Sequence, residues 1–227
     1  MPASIRKIVF ALLVLNTLAS VSARAAVLGF ADDKAGFMAA GGTSIGALPP
    51  SGRSGTVVGP ITFTNGGGGA SIVFGTWSNE IAGYDLAISG PENFNLAIAG
   101  GTYGIGFDMH EPTTPGVGVA FGCNSQTCVD SPYTIEIFAG STSLGSFAYN
   151  APDDTSTAAG GPLGFFGVRS SQLFDRVQVR DLNGNIDNEY FGNFLTNATA
   201  LPVPEPPAVA LFALGLAVLH RLRRRGV

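Results

Sequence analysis

Cys123 and Cys128 enclose the four residues Asn-Ser-Gln-Thr, and His110 is the one histidine outside the C-terminal segment. A zinc site would need two more ligands than the cysteines supply, and a redox pair usually has two intervening residues, not four. Outside the cytoplasm a lone, close pair reads as a disulfide, and a loop this small stabilises by about 2 kcal/mol. Gly42-Thr43-Ser44-Ile45-Gly46 matches the nucleophile elbow, in which a strained strand-to-helix turn exposes a serine. Pro49, Pro50 and Gly52 stand where that helix would have to form, so a flexible loop is expected. Glu80, Asp85, Glu92, Asp108, Glu111 and Glu136 provide carboxylates. Paired at the right separation these could support glycoside hydrolysis; on strands and loops, carboxylates are usually solvated.

Asp181, Asn183, Asn185, Asp187 and Glu189 alternate as oxygen ligands. A calcium loop would need glycine at its sixth position, where Ile186 stands, and a bidentate glutamate at its twelfth. A second candidate set for a structural calcium ion is Asp32 or Asp33 with Asp187. No other cofactor is implied. Trp77, Tyr84, Tyr103, Tyr133, Tyr149 and Tyr190 could stack on sugar rings or pack in a core. No catalytic residue is assigned, and a non-enzymatic role is expected.

The elements that must position these groups are strands. Short alternating or apolar segments recur between Gly, Pro, Asn and Asp. They run from Thr56 to Phe63, Ala70 to Trp77, Tyr84 to Ser89, Phe94 to Ile98, Tyr103 to Met109 and Val117 to Phe121. Further segments run from Tyr133 to Ala139, Leu144 to Tyr149, Gly164 to Arg169, Phe174 to Leu182 and Ile186 to Phe194. No run between Ala26 and Pro202 has helical periodicity. The pattern predicts an all-β fold, an antiparallel β-sandwich of jelly-roll type. "YTIEIF" and "RVQVR" alternate as strands buried on one face do. Asn183-Gly184 predicts a two-residue hairpin turn that sets Arg180 opposite Asp187 and Val179 opposite Asn188.

The two ends differ from the middle. Arg6 and Lys7 precede the apolar run Ile8 to Leu15, and Ala23-Arg24-Ala25 is a small-x-small cleavage site. This is the layout of a secretory signal peptide over residues 1–25. A Pro-rich linker over 198–207 precedes a predicted transmembrane helix over 208–222 and a basic tail over 223–227. Pro204, Pro206 and Pro207 mark the helix start. Arg221, Arg223, Arg224 and Arg225 form the stop and hold the end in the cytoplasm. The sandwich is expected over 26–197. Between Ala26 and Pro202 five basic side chains face fifteen acidic ones, a formal charge of −10. That charge disfavours nucleic acid and anionic membrane surfaces as partners.

Val203-Pro204-Glu205-Pro206, the short apolar helix and the terminal arginines together resemble a PEP-CTERM sorting signal. The resemblance implies an exported protein of a Gram-negative bacterium that also makes extracellular polysaccharide. It implies an exosortase-type enzyme as partner, acting near Val203 to Pro206. The expected precursor sits in the cytoplasmic membrane, and the product at the cell surface or outside the cell. "YGIGFDM", "YTIEIFAGSTSLGSF", "GFFGVRSSQLFDRVQV" and "NIDNEYFG", with Phe30-Ala31-Asp32-Asp33 before them, are similar to the jelly-roll domains of such proteins. This second resemblance implies a lectin-like β-sandwich. The expected function is that of a structural or adhesive protein of the polysaccharide or biofilm matrix. The alternatives are a carbohydrate-binding module, with or without calcium, and a glycoside hydrolase or esterase.

Overall fold

The fold was taken from a computed structural model. The structure describes residues 25–113, 132–155, 160–183, 189–202, 216 and 220. Ala26–Leu201 forms one compact unit. Among its described residues are twelve strands and one short helix: β1 Val27–Ala31, α1 Lys34–Ala39, β2 Gly42–Ser44, β3 Val57–Val58, β4 Ile61–Asn65, β5 Ser71–Gly75 and β6 Asp85–Ser89. The later strands are β7 Phe94–Pro112, β8 Tyr133–Ala139, β9 Thr142–Tyr149, β10 Asp153–Asp154, β11 Gly164–Asp181 and β12 Tyr190–Asn197. All pairings are antiparallel except that of β10 with β7.

Two long strands carry the chain through both layers. The first part of β7 pairs with β4 and with the last part of β11, which also pairs with β8; β9 lies beyond β8. The last part of β7 pairs with the first part of β11 and with β12, and β1, β2, β5 and β6 extend that layer. The register shifts between the two parts, between Arg169 and Phe174 and again before Arg176. Opposite this break Gly100 and Gly101 take φ of +76° and +72°, a left-handed backbone that glycine adopts without steric cost. The bend lets one strand serve two sheets.

The core lies between the layers because each layer alternates. β8 buries Tyr133, Ile135 and Ile137, and β11 buries Val177 and Val179. Rings from the two layers meet edge to face: Phe63 with Phe194 at 5.0 Å, Phe94 with Phe191 at 4.8 Å and Tyr133 with Phe191 at 5.7 Å. Such pairs contribute about 0.5–1.5 kcal/mol each beyond the area they bury. On the outer side of the second layer, Phe37 of α1 packs with Phe30, Phe165 and Leu195. The strand beneath carries Gly106, where a Cβ would sit 2.6 Å from the Phe165 ring.

Two expectations are corrected here. α1 is a helix where none is expected; Asp33 caps it, its carboxylate accepting from the Gly36 N–H at 2.8 Å. The Asn183-Gly184 hairpin does not join β11 to β12 among the described residues. β11 pairs with β1, β7 and β8, while β12 pairs with β2, β6 and β7. Arg180 faces Thr134 of β8, and Val179 faces Phe94 and Ile135. Both edges of β11 are filled as far as Val179, and β12 pairs within the other layer. Among the described residues no helix is long and apolar enough to cross a membrane.

Candidate functional site

The outward face of the first layer is built by simple alternation. If Val177, Val179, Ile135 and Ile137 point inward, then Arg176, Gln178, Arg180, Thr134, Glu136 and Phe138 point outward, and all six are half-buried. The register sets Arg176 beside Phe138, Gln178 beside Glu136 and Arg180 beside Thr134. On the other flank Arg176 meets Ala97 and Gln178 meets Asn95. Asn95 in turn meets Thr64 of β4, and Ser146 of β9 meets Glu136. Polar heads from five neighbouring strands thus share one surface.

Some of these heads are anchored and others are not. Arg180 donates from Nη1 to the carbonyls of Phe94 at 2.9 Å and Val179 at 2.7 Å, and from Nη2 to Oδ1 of Asn95. Burial first, and then the charge of Arg176, pull its guanidinium below the ordinary arginine value, against the pull of Glu136. Arg176 lies over the Phe138 ring, 4.1 Å from its centroid. Among the described residues, Arg176, Gln178 and Glu136 make no side-chain hydrogen bond or ion pair. The donors and acceptors left free on this face can take the hydroxyls or charged groups of an extended ligand.

A second constellation lies inside the second layer. Ser78, His110 and Asp154 form a buried chain: Ser78 Oγ lies 2.8 Å from His110 Nδ1, and His110 Nε2 lies 3.0 Å from Asp154 Oδ2. The composition is that of a hydrolytic triad, but the wiring is reversed, with serine on Nδ1 and carboxylate on Nε2. Ser78 Oγ also accepts from the N–H groups of Glu80 and Ile81. With those two bonds received, its proton is directed at His110. This serine closes a turn.

Asp85 holds the same turn, accepting from the N–H groups of Trp77 and Ser78, and its burial pushes its carboxyl up to about 6. A third cluster surrounds Tyr133. Glu92, Glu111, Asp181 and Glu189 are all buried; its own burial first, and then these charges, hold the Tyr133 phenol well above the ordinary tyrosine range. Among the described residues no three His, Cys, Asp or Glu side chains could hold a metal ion.

The residues singled out in the sequence fall apart in space. Ser44 is exposed on β2, where its Oγ accepts from Gly46 N–H; no nucleophile elbow forms. Asp32 Oδ1 accepts from Tyr149 Oη at 2.6 Å and Phe165 N–H at 3.1 Å, and Asp33 caps α1. Asp187, Cys123, Cys128, Ala23, the Val203, Pro204, Glu205, Pro206 motif and Arg221, Arg223, Arg224 and Arg225 lie outside the described residues; Ala25 is the first described. Of the aromatics, Tyr133, Tyr149 and Tyr190 are core residues, while Tyr84 is exposed. Asp108 is held by Lys34 at 2.6 Å and Asn193 at 2.7 Å, and Glu80 accepts from Gly160 N–H. Of the carboxylates, Glu136 alone reaches the outward face. Arg176, Gln178, Arg180 and Phe138 belong to no chemical motif in the sequence, although the alternation that sets them on one face of β11 and β8 is visible there.

No family model and no curated protein sequence matches this chain. Among solved structures, the enzymatically active domain of tailspike protein 4 of bacteriophage CBA120 is 13% identical, with a TM-score of 0.37. The alignment covers 68% of this chain and 22% of that one, so this chain spans about a fifth of its length. A family 29 carbohydrate-binding module is 15% identical over 73% of this chain and 99% of its own, with a TM-score of 0.32. The family 11 carbohydrate-binding module of the cellulosomal cellulase Lic26A-Cel5E of Clostridium thermocellum is 10% identical, covering 70% and 99%, with a TM-score of 0.34. At these values none of them carries a fold, a ligand or an activity over to this chain.

Proposed function

We propose that this chain is an exported, non-catalytic glycan-binding protein whose outward sheet face holds an extended polysaccharide. One observation carries the reading: Arg176, Gln178, Glu136, Phe138 and Asn95 converge on one surface, and three of the polar heads make no hydrogen bond or ion pair within the described molecule. A row of donors and acceptors beside a ring, spread over five strands, suits a chain of sugars better than a small enclosed ligand. A structural or adhesive role in an extracellular matrix follows from such binding.

The layout of the ends supports export. A signal peptide would be removed after Ala25, and the Val203-Pro204-Glu205-Pro206 tail would be processed by an exosortase-type enzyme at the membrane. The absence of catalysis is part of the proposal. It is supported by the Ser78 hydroxyl, which is buried and already takes part in three hydrogen bonds.

Affinity electrophoresis of the full-length protein through gels containing soluble polysaccharides tests the reading. Retardation by at least one polysaccharide, weakened in Gln178→Ala and Glu136→Ala, is expected. Free migration in every gel would refute glycan binding. Retardation unchanged by both substitutions would move the site elsewhere.

A further inference from the structure

Phe138 is not a bare stacking platform. A neutral sugar ring packs its C–H face on an open aromatic face, and here the Arg176 guanidinium already lies 4.1 Å from the ring centroid. An approaching ligand meets a guanidinium fork backed by a ring. The ring restrains that fork, and less ordering is then needed when it closes on a planar carboxylate through two parallel hydrogen bonds. No acidic side chain occupies it: among the described residues the ion pair is Lys34 with Asp108, and the His110 ring, hydrogen-bonded to Asp154, lies elsewhere in the fold. Its Nε is buried without a partner.

Charge placement agrees. The Ala26–Pro202 segment has a formal charge of −10, yet two of its five basic residues stand on this face. Arg176 and Arg180 are four residues apart on one strand, about 13 Å at the rise of an extended chain. That distance exceeds one sugar ring. Gln178 lies between them, with Glu136 beside it on β8. Glu136 repels an anion midway and accepts hydroxyls there, so negative groups are directed to the arginine positions. Polyphosphates, with charge at every backbone unit, would meet Glu136 and the acidic remainder of the molecule.

We infer that this face selects a carboxylate-bearing polysaccharide, a uronate chain, with Arg176 as its carboxylate-binding residue and Arg180 as the second cationic point. The inference rests on the glycan-binding reading above.

The test uses the full-length protein with three soluble probes: polygalacturonate, dextran sulfate and neutral hydroxyethylcellulose. Polygalacturonate should bind most tightly, and added salt should weaken it. Arg176→Gln should weaken it about tenfold, since a lost charge-assisted hydrogen bond is of that size. Arg176→Lys keeps the charge but not the fork and should restore only part of the loss. A thermal melt of each variant separates lost binding from lost fold, and the salt titration of the unsubstituted protein needs no variant. Equal binding of neutral and uronate chains, unmoved by Arg176→Gln, would overturn the inference and leave the glycan-binding reading standing. Dextran sulfate bound as tightly as polygalacturonate would overturn the carboxylate assignment. Binding to none of the three, or to any other glycan, would remove the reading itself.

Discussion

Among the described residues, nothing receives the hydroxyl of Tyr133. The side chain is fully buried and its Oη has no hydrogen-bond partner. A buried, unpaired polar group is a cost to the fold. Tyr133→Phe removes that cost and keeps the ring contact with Phe191, so stability should stay level or rise by about 1 kcal/mol. A loss above that in urea unfolding would mean the hydroxyl has a role here after all. Asp85 gives a pH signature. Its carboxyl titrates at about 6 in the fold against 3.8 in the free side chain. Between those values the folded state holds more protons than the unfolded chain, so Asp85's contribution is full below about pH 4 and is lost as pH rises through about 6. Asp85→Asn should flatten that part of the urea-midpoint profile; an unchanged slope would exclude Asp85 as its source. The sequence shows Asp85, Glu92 and Glu111 as carboxylates but not as buried ones. Their burial comes from strands far away in the chain: β12 brings Glu189 to Glu92, 97 residues apart.

At the scale of elements, local signals were legible where a strand is uniform and lost where it changes role. β8 and the end of β11 could be read from their alternation, including which face is buried. That these two strands are neighbours could not, because the pairing is a tertiary choice. β7 reads as two strands because Gly100-Gly101 looks like a turn, yet the chain continues through it into the other layer. α1 escaped detection because it has six residues and buries only Phe37, too little to set up a period. The bend yields a prediction. A Cβ at Gly101 would lie 2.8 Å from Leu173 Cγ and 3.1 Å from the Phe174 carbonyl oxygen, while one at Gly100 meets nothing within 4 Å. Both residues have positive φ. Gly100→Ala should therefore cost about 1–2 kcal/mol from backbone strain alone, and Gly101→Ala more. Equal losses in denaturant unfolding would show that crowding at the bend is relieved for free.

For the whole molecule, the two ends of the compact unit converge on one short stretch of β11. The Ser171 N–H donates to the Ala26 carbonyl, and Ala26 N–H donates to Ser171 Oγ. Leu201 N–H donates to the Ser170 carbonyl, and Arg169 Nη2 donates to the carbonyls of Thr199 and Ala200 at 2.9 and 3.4 Å. Residues 198–201 therefore receive Nη2 of a guanidinium that is only 8% exposed and whose Nε has no hydrogen-bond partner among the described residues. Removing them would leave its donors in a site shaped to exclude water. A chain of residues 26–201 should unfold in one cooperative step. A chain of residues 26–197 should be less stable by about 1–3 kcal/mol, the range for a buried charged donor left unpaired. Arg169→Met in the longer chain separates this from fraying, because it removes the charge and keeps the volume. If stability depends on the Arg169 contacts, trimming the Met variant should cost far less than trimming the parent. Equal losses in both would place the effect in the Leu201–Ser170 hydrogen bond and chain-end order instead.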